Sequence, residues 1–234
     1  MKTHHKNSER FVSGVFNDVF DKYDLMNDLM SLGIHRLWKK QFINWLNPQK
    51  NTKLLDVASG TGDIAKLYLQ KTNYSGSVYC LDENKGMLGL NKKKFKNSTK
   101  VKRFCDNAEK LHFKDNYFDY YTISFGIRNI ANIKLAIKEA YRVLKPGGRF
   151  LCLEFSKVEN NLLNKFYQAY SKSIPKIGKL VIGKSVPYEY LITSIEKFYN
   201  QKEFKEKIVE QKFEKVSYKN LSGGIVAIHS GWKV

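Results

Sequence analysis

The stretch Leu55-Asp56-Val57-Ala58-Ser59-Gly60-Thr61-Gly62-Asp63 sets two acids around two closely spaced glycines. Gly60 and Gly62 let the backbone turn sharply and come close to a ligand. The apolar run Leu54-Leu55-Asp56-Val57 ahead of them reads as a short buried strand. A turn at the carboxyl end of such a strand is where open parallel sheets hold their ligands. Asp82 closes the next strand, twenty residues after Gly62. There its carboxylate can accept both hydroxyls of a ribose, with capping of the following helix as its competing structural role. A nucleoside is the ligand these residues suggest.

Gly60, Gly62 and Ala65 formally satisfy the dinucleotide pattern, but the acids oppose it. Asp56 precedes the turn, within reach of a cationic amino group. Asp63 puts negative charge where a pyrophosphate would meet the helix start. The Walker lysine is missing, because Lys66 lies beyond the turn. A nucleoside without phosphate, carrying an amino acid tail and a sulfonium, suits this arrangement: S-adenosylmethionine. Asp106-Asn107-Ala108 follows the third strand, at the depth of an adenine edge, with an Asx turn as the structural alternative. Ser124-Phe125-Gly126-Ile127-Arg128-Asn129 follows the fourth, where a methyl group should meet its acceptor.

These residues need a scaffold of alternating strands and helices. Residues 8–47 read as helices with an aromatic face, broken near Gly33 and stopped by Pro48. Strands are expected at 54–57, 77–81, 101–105, 118–124 and 149–155, and helices at 63–71, 84–96 and 133–143. Residues 162–210 are expected to be mostly helical, with breaks at Pro175, Gly178, Gly183 and Pro187. Strands at 215–219 and 224–229 suggest an antiparallel hairpin at the sheet edge. The fold class is α/β, a doubly wound, mostly parallel seven-stranded Rossmann-like sheet with an antiparallel C-terminal edge strand. The domain division expected is an N-terminal helical cover over 1–50 and a catalytic domain over 51–234, with a helical substrate-side segment at 160–210.

With these elements placed, the chain resembles the UbiE/MenG/COQ5 family of ubiquinone and menaquinone C-methyltransferases. The signature stretches are Tyr23-Asp24-Leu25-Met26-Asn27-Asp28-Leu29-Met30-Ser31 with His35-Arg36-Leu37-Trp38, and Arg142-Val143-Leu144-Lys145-Pro146-Gly147-Gly148-Arg149 with Leu153-Glu154-Phe155-Ser156. The glycine turn, the Ile123-to-Asn129 segment and Asn220-Leu221-Ser222-Gly223-Gly224-Ile225 also match, so the likeness runs from about residue 12 to 234. Glu83 and Gly86 depart from the family's commoner Ile and Ser, while Asp82 is kept. The resemblance implies donor contacts at Thr61, Asp82, Asn107 with Ala108, and Ser124. It implies C-methylation of a polyprenylated benzoquinol or of demethylmenaquinol.

For the transfer itself, Arg128 is the candidate for stabilising a phenolate or orienting a water, since its fork of donors suits either task. A rim ion pair is its structural alternative. Asn129 is placed to hold Arg128 or the donor. Tyr23 and His35 are the polar candidates in the N-terminal cover, His35 having a pKa range suited to proton transfer or else a purely structural role. No His and carboxylate set has convincing metal spacing, so no metal is expected. Leu163, Phe166, Tyr167, Tyr170, Ile174, Leu180, Val181 and Ile182 suit either a channel for a prenyl tail or ordinary helix packing.

Composition bounds the partners. Lys and Arg total 41 against 22 Asp and Glu, a formal charge of +19, which attracts polyanions such as nucleic acid or an acidic membrane surface. Runs such as Lys92-Lys93-Lys94 equally suit solvated helix faces. Asn/Asp-Pro-Pro-aromatic, the motif of amino-group methylation on bases, is replaced here by Ser124-Phe125-Gly126-Ile127, so an RNA methyltransferase is the rival rather than the favoured reading. Cys80, Cys105 and Cys152 are odd in number and expected at or near core strand ends, which disfavours a disulfide scaffold. The N-terminal residues show no signal peptide and the chain no apolar run of about 20 residues, so a cytoplasmic protein is expected, free or peripheral on the inner face of the membrane. A homodimer and a quinone-synthesis assembly are both left open.

Overall fold

The computed structural model describes residues 28, 31, 33–182 and 185–234. Tyr23 and the first 27 positions of the expected cover lie outside them. Helix α1 (His35–Leu46) turns its stripe His35, Trp38, Lys39, Phe42, Ile43 and Leu46 inward, and ends at a left-handed Asn47 just before Pro48. Strand β1 (Lys53–Val57) leads through the glycine turn into α2 (Asp63–Lys71). Then follow β2 (Ser77–Leu81), α3 (Lys85–Lys94), β3 (Val101–Phe104), β4 (Phe118–Ser124), a 3-10 turn (Ile127–Asn129), α4 (Ile133–Val143) and β5 (Leu144–Phe155). Asn84 and Asn132 cap α3 and α4 through side-chain oxygens that accept the Met87 and Leu135 amides. The chain finishes with α5 (Asn161–Ile182), α6 (Val186–Lys197), α7 (Gln201–Val209), β6 (Glu214–Leu221) and β7 (Val226–Trp232).

The seven strands lie in the order β3-β2-β1-β4-β5-β7-β6. β1 pairs in parallel with both β2 and β4, so the order reverses beside β1, and a crevice opens there. The late hairpin closes one side, with β7 antiparallel to β5 and β6 outermost. Successive side chains of a strand point to opposite faces. Leu54 therefore packs with Trp38, Phe42, Ile64 and Tyr68 from α1 and α2, while Leu55 and Val57 pack with Ile137, Ala140 and Phe204 from α4 and α7. Asp56 shares the parity of Leu54, which aims it toward α1 and α2.

Several boundaries shift by a few residues, and two features depart further from the sequence reading. Helix α5 runs through Pro175 and Gly178. Proline removes one amide from a helix, but Ile174 beside it is buried in the core, and that packing holds the helix together. β5 starts before the Lys145-Pro146-Gly147-Gly148 turn, which bulges out between the pairs Phe118↔Leu144 and Tyr120↔Arg149. Cys80 and Cys152 are buried as expected, but Cys105 is exposed just past β3.

Candidate active site

A cleft of about 1020 Å³ opens beyond the carboxyl ends of β1, β2 and β4. Gly60 and Gly62 have φ of +52° and +88°, left-handed values that only glycine adopts without strain. A side chain at Gly60 would meet nothing within 4 Å, whereas one at Gly62 would strike Asn91 and Phe95. The first glycine leaves ligand space and the second lets α3 pack close.

Asp82, Glu83, Asp106 and Glu109 line the cleft, together with Leu81, Met87, Ala108 and Ile130, and among the described residues no Lys or Arg lines it. In a chain of charge +19 this is a local acidic field, hostile to a pyrophosphate. Asp82 does not cap α3, a task Asn84 performs. Its two oxygens instead accept the Gly60 amide at 2.8 Å and the Asn84 amide at 2.9 Å. Burial raises its pKa while these two amides pull it down. Asn107 lies in the same cleft; its Oδ1 accepts the Glu109 amide at 2.6 Å, so the Asx turn is present.

A smaller pocket shares Ala58, Gly60 and Phe125 with the cleft and is lined further by Lys39, Asp56, Ser59, Thr61, Asp63 and Ser124. Oδ1 of Asp56 accepts from the Thr122 hydroxyl at 2.8 Å. Asp56 Oδ2, Ser59 Oγ and Ser124 Oγ are buried without a hydrogen-bond partner. Unpaired buried polar atoms destabilise a fold, and three around one pocket mark a place for a polar ligand. Burial pushes the Asp56 carboxyl up to about 7, against the pull of the Thr122 hydroxyl and the Lys39 charge. Lys39 donates to Asp63 at 2.7 Å. This lysine went unnoticed in the sequence, although a cation within an apolar helical stripe was the available signal.

The two members of the Arg128-Asn129 pair face different spaces. Asn129 lines the cleft, and its Oδ1 accepts the Tyr190 hydroxyl at 3.0 Å. Arg128 borders a second cavity with Tyr190, Ser194 and Phe198. Its guanidinium, only 3% exposed, donates from Nη1 to Glu154 at 2.7 Å and to the Phe125 carbonyl at 2.8 Å, and from Nε to Ser194 Oγ at 3.3 Å. Glu154 is equally buried, and desolvation raises its pKa against the opposing charge of Arg128. His35 lines neither the cleft nor the smaller pocket. Its Nδ1 lies 3.0 Å from Ser31 Oγ, and burial lowers its pKa to about 4. Among the channel candidates Ile174 is core and Phe166 is 68% exposed, while the side chains of 180–182 lie outside the described residues. Among the described residues no cluster of three or more His, Cys, Asp and Glu could hold a metal ion.

A model of the ubiE/COQ5 methyltransferase family matches residues 2–233. The chain belongs to the ubiE/COQ5 methyltransferase family. It is 53% identical over 236 aligned residues to the ubiquinone/menaquinone biosynthesis C-methyltransferase UbiE of Rickettsia bellii (strain OSU 85-389), covering 97% of this chain and 94% of that one. The protein of the same description from Brucella suis biovar 1 is 50% identical over 231 residues, 94% and 86% of the two chains. Among solved structures, S-adenosylmethionine-dependent methyltransferases from Thermotoga maritima and Aquifex aeolicus superpose with TM-scores of 0.66 and 0.65. The Thermotoga match covers 94% of this chain and 99% of the other, the Aquifex match 89% and 97%, at identities of 18% and 16%. These structural likenesses are of fold, the class I Rossmann-like methyltransferase sheet. Family membership makes the chain an S-adenosylmethionine-dependent methyltransferase.

Proposed function

We propose that this enzyme methylates a ring carbon of a polyprenylated quinol, a 2-methoxy-6-polyprenyl-1,4-benzoquinol or demethylmenaquinol, in ubiquinone or menaquinone biosynthesis. Its Rickettsia and Brucella relatives are ubiquinone/menaquinone biosynthesis C-methyltransferases, which supports the acceptor class. Within the fold, Asn129 carries the reading. Tyr190 occupies the oxygen of its amide, which leaves the amide N–H groups to donate into the cleft. Donors fixed where negative charge develops are what a phenolate intermediate requires.

The orphaned atoms of the smaller pocket and the acids of the cleft fit S-adenosylmethionine, which when bound supplies an electrophilic methyl group. Asp82 is assigned to the ribose hydroxyls, Asn107 and Ala108 to the adenine edge, and Thr61 and Ser124 to the amino acid tail with Asp56 on its ammonium. Gly60 leaves the backbone open to close approach. Phe125 and Ile130 keep water from the reacting side. Arg128, locked to Glu154 and to the Phe125 carbonyl, fixes the loop that presents Asn129 and stands ready to steady a phenolate or a water from the second cavity. Tyr23 of the N-terminal cover is proposed for the acceptor side, whereas His35, buried against Ser31 and lining neither pocket, is assigned a structural role.

The acceptor's prenyl tail places it at a bilayer, and we assign the docking face to α5. No Asp or Glu occurs between residues 161 and 182. Leu162 and Phe166 are 65% and 68% exposed, and Lys165, Lys172, Lys176 and Lys179 are exposed on the same helix. Protruding apolar groups beside lysines complement an anionic membrane surface. No helix among the described residues is long and apolar enough to cross a membrane. The acceptor assay uses purified protein with methyl-labelled donor and, separately, reduced benzoquinol precursor, demethylmenaquinol and bulk RNA. Label on a quinol ring carbon is expected; label on RNA with none on either quinol refutes the assignment.

A further inference from the structure

We propose that Lys39 receives the α-carboxylate of the methyl donor and, with Asp56, makes the smaller pocket a site for an amino acid zwitterion. The inference rests on the donor reading given above. Lys39 sits in the inward stripe of α1 between Trp38 and Phe42, and its side chain is 10% exposed. A cation so placed needs compensating charge. Asp63 supplies one carboxylate, but shares it: Oδ2 takes Lys39 at 2.7 Å and Oδ1 takes Lys94 at 2.5 Å. Two ammonium groups thus share one carboxylate by direct contact, with Asp56 the further acid of the pocket. An ammonium has three donors, and Lys39 spends only one on a partner among the described residues.

The other side of the pocket has the reverse need. Asp56 keeps one oxygen buried without a partner, flanked by the unpartnered hydroxyls of Ser59 and Ser124. A phosphate would meet the Asp56 carboxylate, and a simple amine would meet the Lys39 ammonium. An α-amino acid group satisfies both at once, its carboxylate toward α1 and its ammonium toward β1. Asp63, at the start of α2, is then a positioning residue that holds the lysine at the pocket wall. α1 becomes part of the donor site, joined to the β1 turn through a ligand.

The test compares binding of S-adenosylmethionine with that of decarboxylated S-adenosylmethionine, which keeps nucleoside, sulfonium and amine, by calorimetry on wild type and Lys39→Met. If Lys39 meets the carboxylate, the preference of wild type for the intact donor collapses in the variant by about ten- to a hundredfold, the range for a hydrogen bond between charged groups. A purely structural lysine would weaken both ligands alike and leave the ratio unchanged, which overturns the proposal. Should Lys39→Met not fold, Lys39→Gln, which keeps a donor for Asp63, is read by the same ratio. Wild type that binds neither ligand overturns the donor reading itself, and this inference with it.

Discussion

Replacing Asp56 by Asn should stabilise the protein in alkali while damaging donor binding. The carboxyl is buried, with its pKa pushed from 3.8 up to about 7. Because the folded value lies above the unfolded one, the folded state holds its proton more tightly. Stability at this group is thus full in acid, falls as pH rises from about 4 to about 7, and is flat above. At about 1.4 kcal/mol per pH unit, the ionised form is disfavoured by about 4 kcal/mol at pH 8 and by about 2 kcal/mol at pH 5. Asn keeps the bond from Thr122 and leaves an unpaired amide worth about 1–2 kcal/mol at either pH. Asp56→Asn should therefore exceed wild type by about 2–3 kcal/mol at pH 8 and roughly equal it at pH 5. Urea unfolding of both proteins, without donor, across that range measures the difference directly. A gap that does not change with pH refutes the reasoning. Donor binding runs the opposite way, since the proposed ammonium contact needs the ionised acid. Wild-type affinity should weaken about tenfold from pH 8 to pH 6, and the variant, weaker throughout, should show little of that slope.

The Arg128–Glu154 pair gives a second expectation: Arg128→Met should lose about 3–5 kcal/mol by stranding a buried acid, and adding Glu154→Gln should recover most of it in urea melts. The double variant should methylate quinol far more slowly while donor affinity changes less than about threefold; wild-type turnover would remove Arg128 from the acceptor side. Liposomes rich in anionic lipid should retain the wild type at low salt and release it as salt rises, and Leu162→Ser with Phe166→Ser should bind at least fivefold more weakly, roughly the loss of two apolar anchors. Equal retention of that variant, or of wild type on neutral vesicles, counts against α5. A thiol reagent on native protein should modify Cys105 rapidly. Cys80, pushed up to about 12, and Cys152, also raised by burial, should react only on unfolding, as mass spectrometry of the labelled peptides will show.

Much of the frame was legible because local rules and tertiary packing agree there. The span 63–71 and the strands 77–81 and 118–124 coincide with α2, β2 and β4, where glycine punctuation, apolar runs and helix period all point one way. Pro175 is where a local rule yields: it forecasts a break, and the burial of Ile174 overrides it. The cleft acids could be placed from their positions at strand ends, since those positions follow from the order of elements. Partners could not. Glu154 opposite Arg128 depends on where the 3-10 turn folds back over β5, and Lys39 opposite Asp63 depends on the angle at which α1 crosses α2; neither is a matter of sequence spacing.

The acid-lined cleft also separates the two ends of the catalytic cycle. Methyl transfer turns a sulfonium into a neutral thioether, so the spent cofactor carries one positive charge fewer than the fresh one. A wall bearing Asp82, Glu83, Asp106 and Glu109, with no Lys or Arg among the described residues that line it, holds the charged form more firmly and loosens its grip once the charge is gone. The polarity of the cavity thereby favours loading over product inhibition, and neutralising Glu83 or Glu109 would narrow the margin between them.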